Sequence, residues 1–330
     1  MNAALLVTVD VEEEGLFSGV YRPCGNTVEN TRGLERFQAF CDNYTIRPTY
    51  LVDTPVIDDY RSAELLRTIQ DDGRCEVGAH LHPWCTPPHE EHINQRNTLM
   101  CNLPERLQRE KLVCLTEMIE KHSGRRPTSF RAGRLGLDML GARILHELSY
   151  IVDSSVLPFS DLSAEGGPNF CRAPYTPYYL QGEELCKPNC SGFLLEVPIS
   201  AGYNWLNFER ARRVRSVVAR LAPRSQLAVR VLNRSGMVRY LRFLPELYSA
   251  AQMKQLVDAY LMHGAPCMVM MLHSSSLVPG YSPYVPDTKR LEELYRDLAE
   301  VVEYCQYQQG MVNRTLTAFA YTYAAGAGVA

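Results

Sequence analysis

Two histidines stand one residue apart in Gly78-Ala79-His80-Leu81-His82-Pro83-Trp84. Cys75 to Leu81 reads as a short, mainly apolar strand that Pro83 stops. Side chains at i and i+2 of a strand face the same way, so His80 and His82 project together from its C-terminal end. Two imidazoles side by side pack poorly but offer two lone pairs, half of a tetrahedral metal site. A second cluster, Asp10-Val11-Glu12-Glu13-Glu14, closes the apolar run Ala3–Val9. Carboxylates crowded this closely repel one another unless a cation or water sits among them. Asp10 and Glu12 share a face by the period of two. Arg131, Asp153 and His273 end three further runs: Ser129-Phe130, Tyr150-Ile151-Val152 and Pro266–Leu272.

These residue types suffice for hydrolysis. One carboxylate and two imidazoles make a His₂-carboxylate metal site with open positions for water. A second carboxylate can accept that water's proton, and an arginine beside it keeps it ionised and aimed. A separate histidine can protonate a leaving group. Ser274-Ser275-Ser276 lacks the G-x-S-x-G elbow of a serine nucleophile and reads as a loop.

The elements must bring these strand ends together. Apolar strands alternate with helical patterns over Val28–Tyr44, Tyr60–Asp72, Pro104–Lys121, Gly136–Leu148, Glu209–Leu221, Ser249–His263 and Asp287–Tyr307. Strands also fall at Arg47–Val52 and Leu194–Ile199, and Leu316–Tyr321 is predicted to be a closing strand. Such alternation is the pattern of a wound parallel sheet or barrel, and a barrel gathers its strand C-terminal ends on one rim. Residues 157–193 are long and without period and read as a lid or substrate wall. With no internal repeat, residues 1–330 are expected to form one domain of βα units.

Composition narrows the partners. The 330 residues are 46% hydrophobic and 22% charged, as in globular proteins. A net charge of -3 gives no reason to expect nucleic acid or an anionic membrane as the main partner. No run is long and apolar enough to span a bilayer, and the short run Ala3–Val9 is no export signal. The 11 cysteines are odd in number and scattered, so free thiols and a cytoplasmic location are expected.

Taken together and in order, five segments resemble the NodB-type polysaccharide deacetylases (carbohydrate esterase family 4), particularly the bacterial branch found with surface-polysaccharide and O-antigen genes. They are Thr8-Val9-Asp10-Val11-Glu12, Gly78–Trp84, Phe130-Arg131-Ala132-Gly133, Asp153-Ser154-Ser155 and Leu272-His273-Ser274. The resemblance implies an α/β fold with a distorted (β/α)7-type barrel and a divalent metal, most often zinc (Zn2+). It implies removal of an N-acetyl group from an acetamido sugar or polysaccharide precursor. Asp10 then looks like the general base, Glu12, His80 and His82 like the metal ligands, and Arg131 like the residue orienting the base. His273 looks like the general acid and Asp153 like its tuning partner. The family usually spaces its metal histidines H-x-x-x-H, so His89 or His92 is the alternative to His82. Two rival readings are a hydrolase of another non-peptide C–N bond on this scaffold and a catalytically inactive glycan-binding relative.

Overall fold

The computed structural model describes residues 2–221, 231 and 234–327. Its first half runs β1 (Ala4–Val11), α1 (Gly33–Asn43), β2 (Thr49–Val52), α2 (Thr54–Asp58), α3 (Tyr60–Asp71), β3 (Glu76–Leu81), α4 (Glu105–Ser123), β4 (Ser129–Ala132), α5 (Met139–Glu147) and β5 (Val152–Asp153). The second half runs β6 (Tyr178–Leu180), β7 (Leu194–Glu196), β8 (Ala201–Tyr203), α6 (Phe208–Leu221), β9 (Tyr240–Arg242), α7 (Ala250–Met262), β10 (Cys267–His273), α8 (Thr288–Glu303), β11 (Val312–Asn313) and α9 (Leu316–Ala327).

The strands β10-β1-β2-β3-β4-β5-β7 form one curled sheet in that order, every neighbouring pair parallel. β6 adds antiparallel to β7, and β11 pairs with the start of β1. β7 and β10 are not paired as strands. The chain just after β7 bridges the gap: Ser200 N donates to Val269 O (3.2 Å), and Val269 N donates to Ser200 Oγ (2.8 Å). Met271 N donates to Phe243 O (3.1 Å). The result is the distorted barrel that the sequence predicts, with a thin seam.

Alternation along the strands sorts inside from outside. Ala4, Leu6, Val152, Leu195, Cys267 and Val269 meet in one cluster within the barrel. Leu5, Val7, Val9, Val77, Ala79, Phe130, Met268 and Met270 belong to the larger core beneath the helices. The sequence around Leu316–Tyr321 was expected to close the sheet as a strand; it is instead helix α9. Its Leu316, Phe319 and Ala320 pack into the inner cluster, plugging the barrel at the N-terminal ends of its strands. Alanine supports a helix here, and the beta-prone Thr and Tyr residues follow the packing. The region 157–193 is largely irregular but contains β6 and a single 3₁₀ turn at Ser163–Glu165.

Aspartates cap several helices. Asp53, Asp59, Asp138 and Asp287 accept from backbone N–H groups in the first turns of α2, α3, α5 and α8. α4 ends at Gly124 in the left-handed region, at φ 78°.

Candidate metal centre and active site

β1 and β10 lie side by side in a register that pairs Asp10 with His273. β3 and β4 pair His80 with Arg131. These strand ends surround a cavity of about 250 Å³. Asp10, Glu12, His80, His82, Arg134 and His273 supply its polar lining, and Leu16, Phe17, Tyr21, Trp84, Ala132, Leu135 and Met271 the rest of its wall.

His80 and His82 project together, as the period of two requires. His80 Nδ1 lies 3.0 Å from the Arg131 carbonyl oxygen, which can only accept, so Nδ1 carries the hydrogen. His82 Nδ1 lies 2.7 Å from Glu13 Oε2 and donates to it. The Nε2 atoms are the ends left over. They stand 3.5 Å and 3.6 Å from the same oxygen, Oε2 of Glu12. The backbone of Glu12 is held from both sides: its N–H donates to Ser274 Oγ, and its carbonyl accepts from Asn30 Nδ2. Two imidazole nitrogens and a carboxylate oxygen, all buried, thus converge within 4.8 Å of one another. That donor set fits a divalent ion such as zinc.

Behind His82 sits a second, fully buried layer. Glu13 Oε1 accepts from Trp84 Nε1 (2.6 Å), and Trp84 stacks on the His82 ring at 4.3 Å. Asp53 caps α2 with one oxygen and accepts Glu13 N with the other (2.8 Å). Burial and the neighbouring Glu13 push Asp53 well above the usual carboxylate range. Burial opposes charge on Glu13 too, but His82 and hydrogen bonds hold it well below its ordinary value. Glu13 therefore carries the charge. Against the effect of burial, it raises His82 well above an ordinary imidazole. A carboxylate placed this way fixes the ring and strengthens it as a metal donor. Proton and metal ion compete for the same Nε2. Gly133 makes the fit possible, because a Cβ there would come within 2.3 Å of His82 Cδ2.

Arg131 is fully buried and bonded at every nitrogen. Nη1 donates to Asp10 Oδ1 (2.6 Å), Nη2 to Thr8 Oγ1 and Ser154 Oγ, and Nε to Ser154 O (2.8 Å). Burial would raise the Asp10 carboxyl, but Arg131, His80 and His273 together hold it below its ordinary value. Asp10 is thus an anion with one oxygen engaged by the guanidinium.

His273 pairs with Glu246, not with Asp153. Its Nδ1 lies 2.9 Å from Glu246 Oε2, and its backbone N donates to Glu246 Oε1 (2.6 Å). Burial would lower the imidazole, but Glu246, with smaller help from Glu12 and Asp10, raises it to about 10. The expectation that Asp153 tunes His273 is corrected by the alternation of β5. Val152 points into the barrel, so Asp153 points out, where it meets Glu196. It accepts from Ser155 N and Ser155 Oγ, and Ser155 Oγ accepts from Ala132 N. Asp153 therefore shapes the turn whose Ser154 seats Arg131. Burial and this contact keep Glu196 well above its ordinary value.

Glu246 and the supporting role of Glu13 are not evident from the sequence pattern. Glu13 lies past the end of β1, where the period of two no longer assigns a face. Glu246 follows an irregular segment with no motif around it. His89 and His92 are exposed on the loop after β3. His89 lines a separate cleft of about 650 Å³ with Asp58 and Asp59. Neither joins a metal-capable group among the described residues, so the second imidazole at the Glu12 site is that of His82.

No protein-family model and no curated protein matches the chain. Solved structures do. A protein of Mycobacterium smegmatis, provisionally assigned as a polysaccharide deacetylase, aligns over 99% of this chain and 92% of its own at 15% identity, with a TM-score of 0.53. A provisional glycoside hydrolase/deacetylase of Parabacteroides distasonis aligns over 97% of this chain and 71% of its own at 13% identity, with a TM-score of 0.60. The Puue allantoinase aligns over 98% of this chain and 90% of its own at 16% identity, with a TM-score of 0.52. The curled parallel sheet and its plugged barrel are thus a fold this chain shares with two structures provisionally assigned as deacetylases and with an allantoinase.

Proposed function

We propose that the protein is a metal-dependent N-deacetylase of an acetamido sugar, free or within a glycan precursor. One observation carries this reading: the Glu12–His80–His82 donor set, Asp10 with Arg131 behind it, and His273 with Glu246 behind it all border one small cavity. Glu12, His80 and His82 would hold the ion. When bound there, a divalent ion lowers the pKa of water and polarises a carbonyl.

The remaining work belongs to the chain itself. Asp10, kept anionic by Arg131, accepts the proton of the attacking water. Arg131 engages one Asp10 oxygen, which leaves the other for that proton. His273, cationic at neutral pH, donates its Nε2 proton to the departing amine, and Glu246 holds the ring so that Nε2 is the exposed end. Trp84, Phe17 and Leu135 wall the site and limit water around the reacting amide. Arg134 and Leu135 both adopt left-handed backbone, φ 53° and 59°, a strain that places Leu135 in the wall.

The test pairs metal content with acetate release. Wild type should bind near-stoichiometric metal, His80→Ala and His82→Ala should bind none, and wild type should release acetate from an acetamido sugar. Metal without acetate release, but with turnover of a ureide, would favour the rival C–N hydrolase, a reading supported by the fold likeness to an allantoinase. Absence of metal after reconstitution would sink the enzyme reading and leave the glycan-binding one.

A further inference from the structure

The net charge of -3 conceals a strong internal asymmetry. Between Arg210 and Pro245 the chain has ten of its 34 basic residues, all arginine, and none of its 37 acidic ones. Elsewhere exposed arginines face carboxylates, as in Arg36–Glu292 and Arg143–Glu183. This stretch has no carboxylate of its own, and Arg212 reaches back to Glu209 just before it.

The same arm exposes apolar side chains. Among the described residues, six of the 13 exposed large hydrophobic ones fall between positions 205 and 237. On α6, Phe208 and Ala211 are buried against the body, which turns Arg210, Arg213, Val214 and Val217 outward on one face. Val217 is 51% exposed, Leu206 50% and Met237 65%. Trp205 Nε1 donates to Met237 O (2.6 Å), tying the segments before and after the helix into one surface. A merely solvated cationic face would not need Trp, Leu, Met and two Val residues in it. A nucleic-acid face would offer stacking aromatics rather than aliphatic side chains. Arginines flanking an exposed aliphatic and tryptophan patch are what an interfacial helix presents to a bilayer.

We propose that the outer face of α6, with Trp205, Leu206 and Met237, docks on the surface of an anionic phospholipid membrane. The arginines meet lipid phosphates while the aliphatic side chains enter the headgroup boundary. The arm returns through β9 into the segment carrying Leu244 and Glu246. Tyr240 and Leu244 share an apolar cluster with Met271 and Leu135 of the cavity wall. The docking proposal does not depend on the deacetylase reading.

Flotation of the full chain with vesicles tests this directly. Wild type should float with phosphatidylcholine vesicles containing phosphatidylglycerol, not with phosphatidylcholine alone, and high salt should release it. Arg210→Gln combined with Arg213→Gln should weaken binding about thirtyfold, from about 1 kcal/mol per charge near the surface. Val214→Ser combined with Val217→Ser should weaken it as well, with an unchanged near-ultraviolet circular dichroism spectrum in both variants. No binding to the anionic vesicles overturns the proposal. So does vesicle binding that ignores the valine changes while RNA binds equally well, which would mark a general polyanion surface.

Discussion

His82 and His273 begin alike and end in opposite surroundings. Each stands at the C-terminal end of a buried parallel strand, His82 just past β3 and His273 closing β10, and each gives its Nδ1 to a carboxylate. Behind His82 the carboxylate is backed by Asp53, Trp84 and stacked ring contacts, all fully buried. Its Nε2 points at another carboxylate, Glu12, and shares it with His80. His273 has Glu246 alone behind it, and its side chain is 17% exposed to the cavity. One ring is locked toward Glu12; the other is raised to about 10 by Glu246 and opens on the cavity. A carboxylate–histidine pair therefore does not define a role. What lies beyond Nε2 does.

Mutations can break that contrast. His82→Ala should abolish both metal content and activity, read by elemental analysis and acetate release. His273→Ala should keep the metal but cost about 10²–10⁴ in kcat, the usual worth of a general acid. If it also emptied the site of metal, the two roles would not be separate. Glu13→Gln should cost about 10–100-fold in metal affinity, measured by competition with a chelator, because it removes the carboxylate behind His82.

Glu246→Gln sharpens the other half. His273 must be protonated to act as the acid, and its value near 10 depends on Glu246. Removing the carboxylate lets the value fall toward 6.5, so the alkaline limb of kcat/KM should move to lower pH. The linked stability runs the same way. The ion pair contributes fully below about pH 6.5 and is lost as pH rises through about 10. An unmoved alkaline limb in Glu246→Gln would remove His273 as the titrating acid. The smallest effect expected is for Gly133→Ala. Crowding of His82 by the new Cβ should cost about 1–3 kcal/mol in denaturant unfolding, with a measurable loss of metal affinity.

How much of this was legible in the sequence follows from locality. The faces of Asp10, His80, His82, Arg131 and His273 come from strand periodicity, and the rim that joins them follows from a parallel barrel. Their meeting needed no knowledge of side-chain packing. Asp153 shows the limit, because a two-residue strand gives too little pattern to tell inside from outside. Glu246 shows another: it reaches His273 from a segment 27 residues earlier, after an irregular stretch. The helix α9 was read as a strand because Tyr and Thr outweighed its alanines in a local reading, while the barrel's open bottom decided the matter.

The seam between the chain after β7 and β10 has a further consequence. Seven strands share continuous ladders, but this join rests on a few bonds around Ser200, Val269, Phe243 and Met271. Amide hydrogens there should exchange with solvent sooner than those of β1, at an opening free energy below that of global unfolding. The strand carrying His273 would open on its seam side first, while its seven-residue ladder to β1 holds. Breathing of the wall would then loosen Glu246 from its imidazole and leave the His80–His82 end clasped. On the proposed reading, exchange through the His273 side would leave the Glu12–His80–His82 cluster undisturbed.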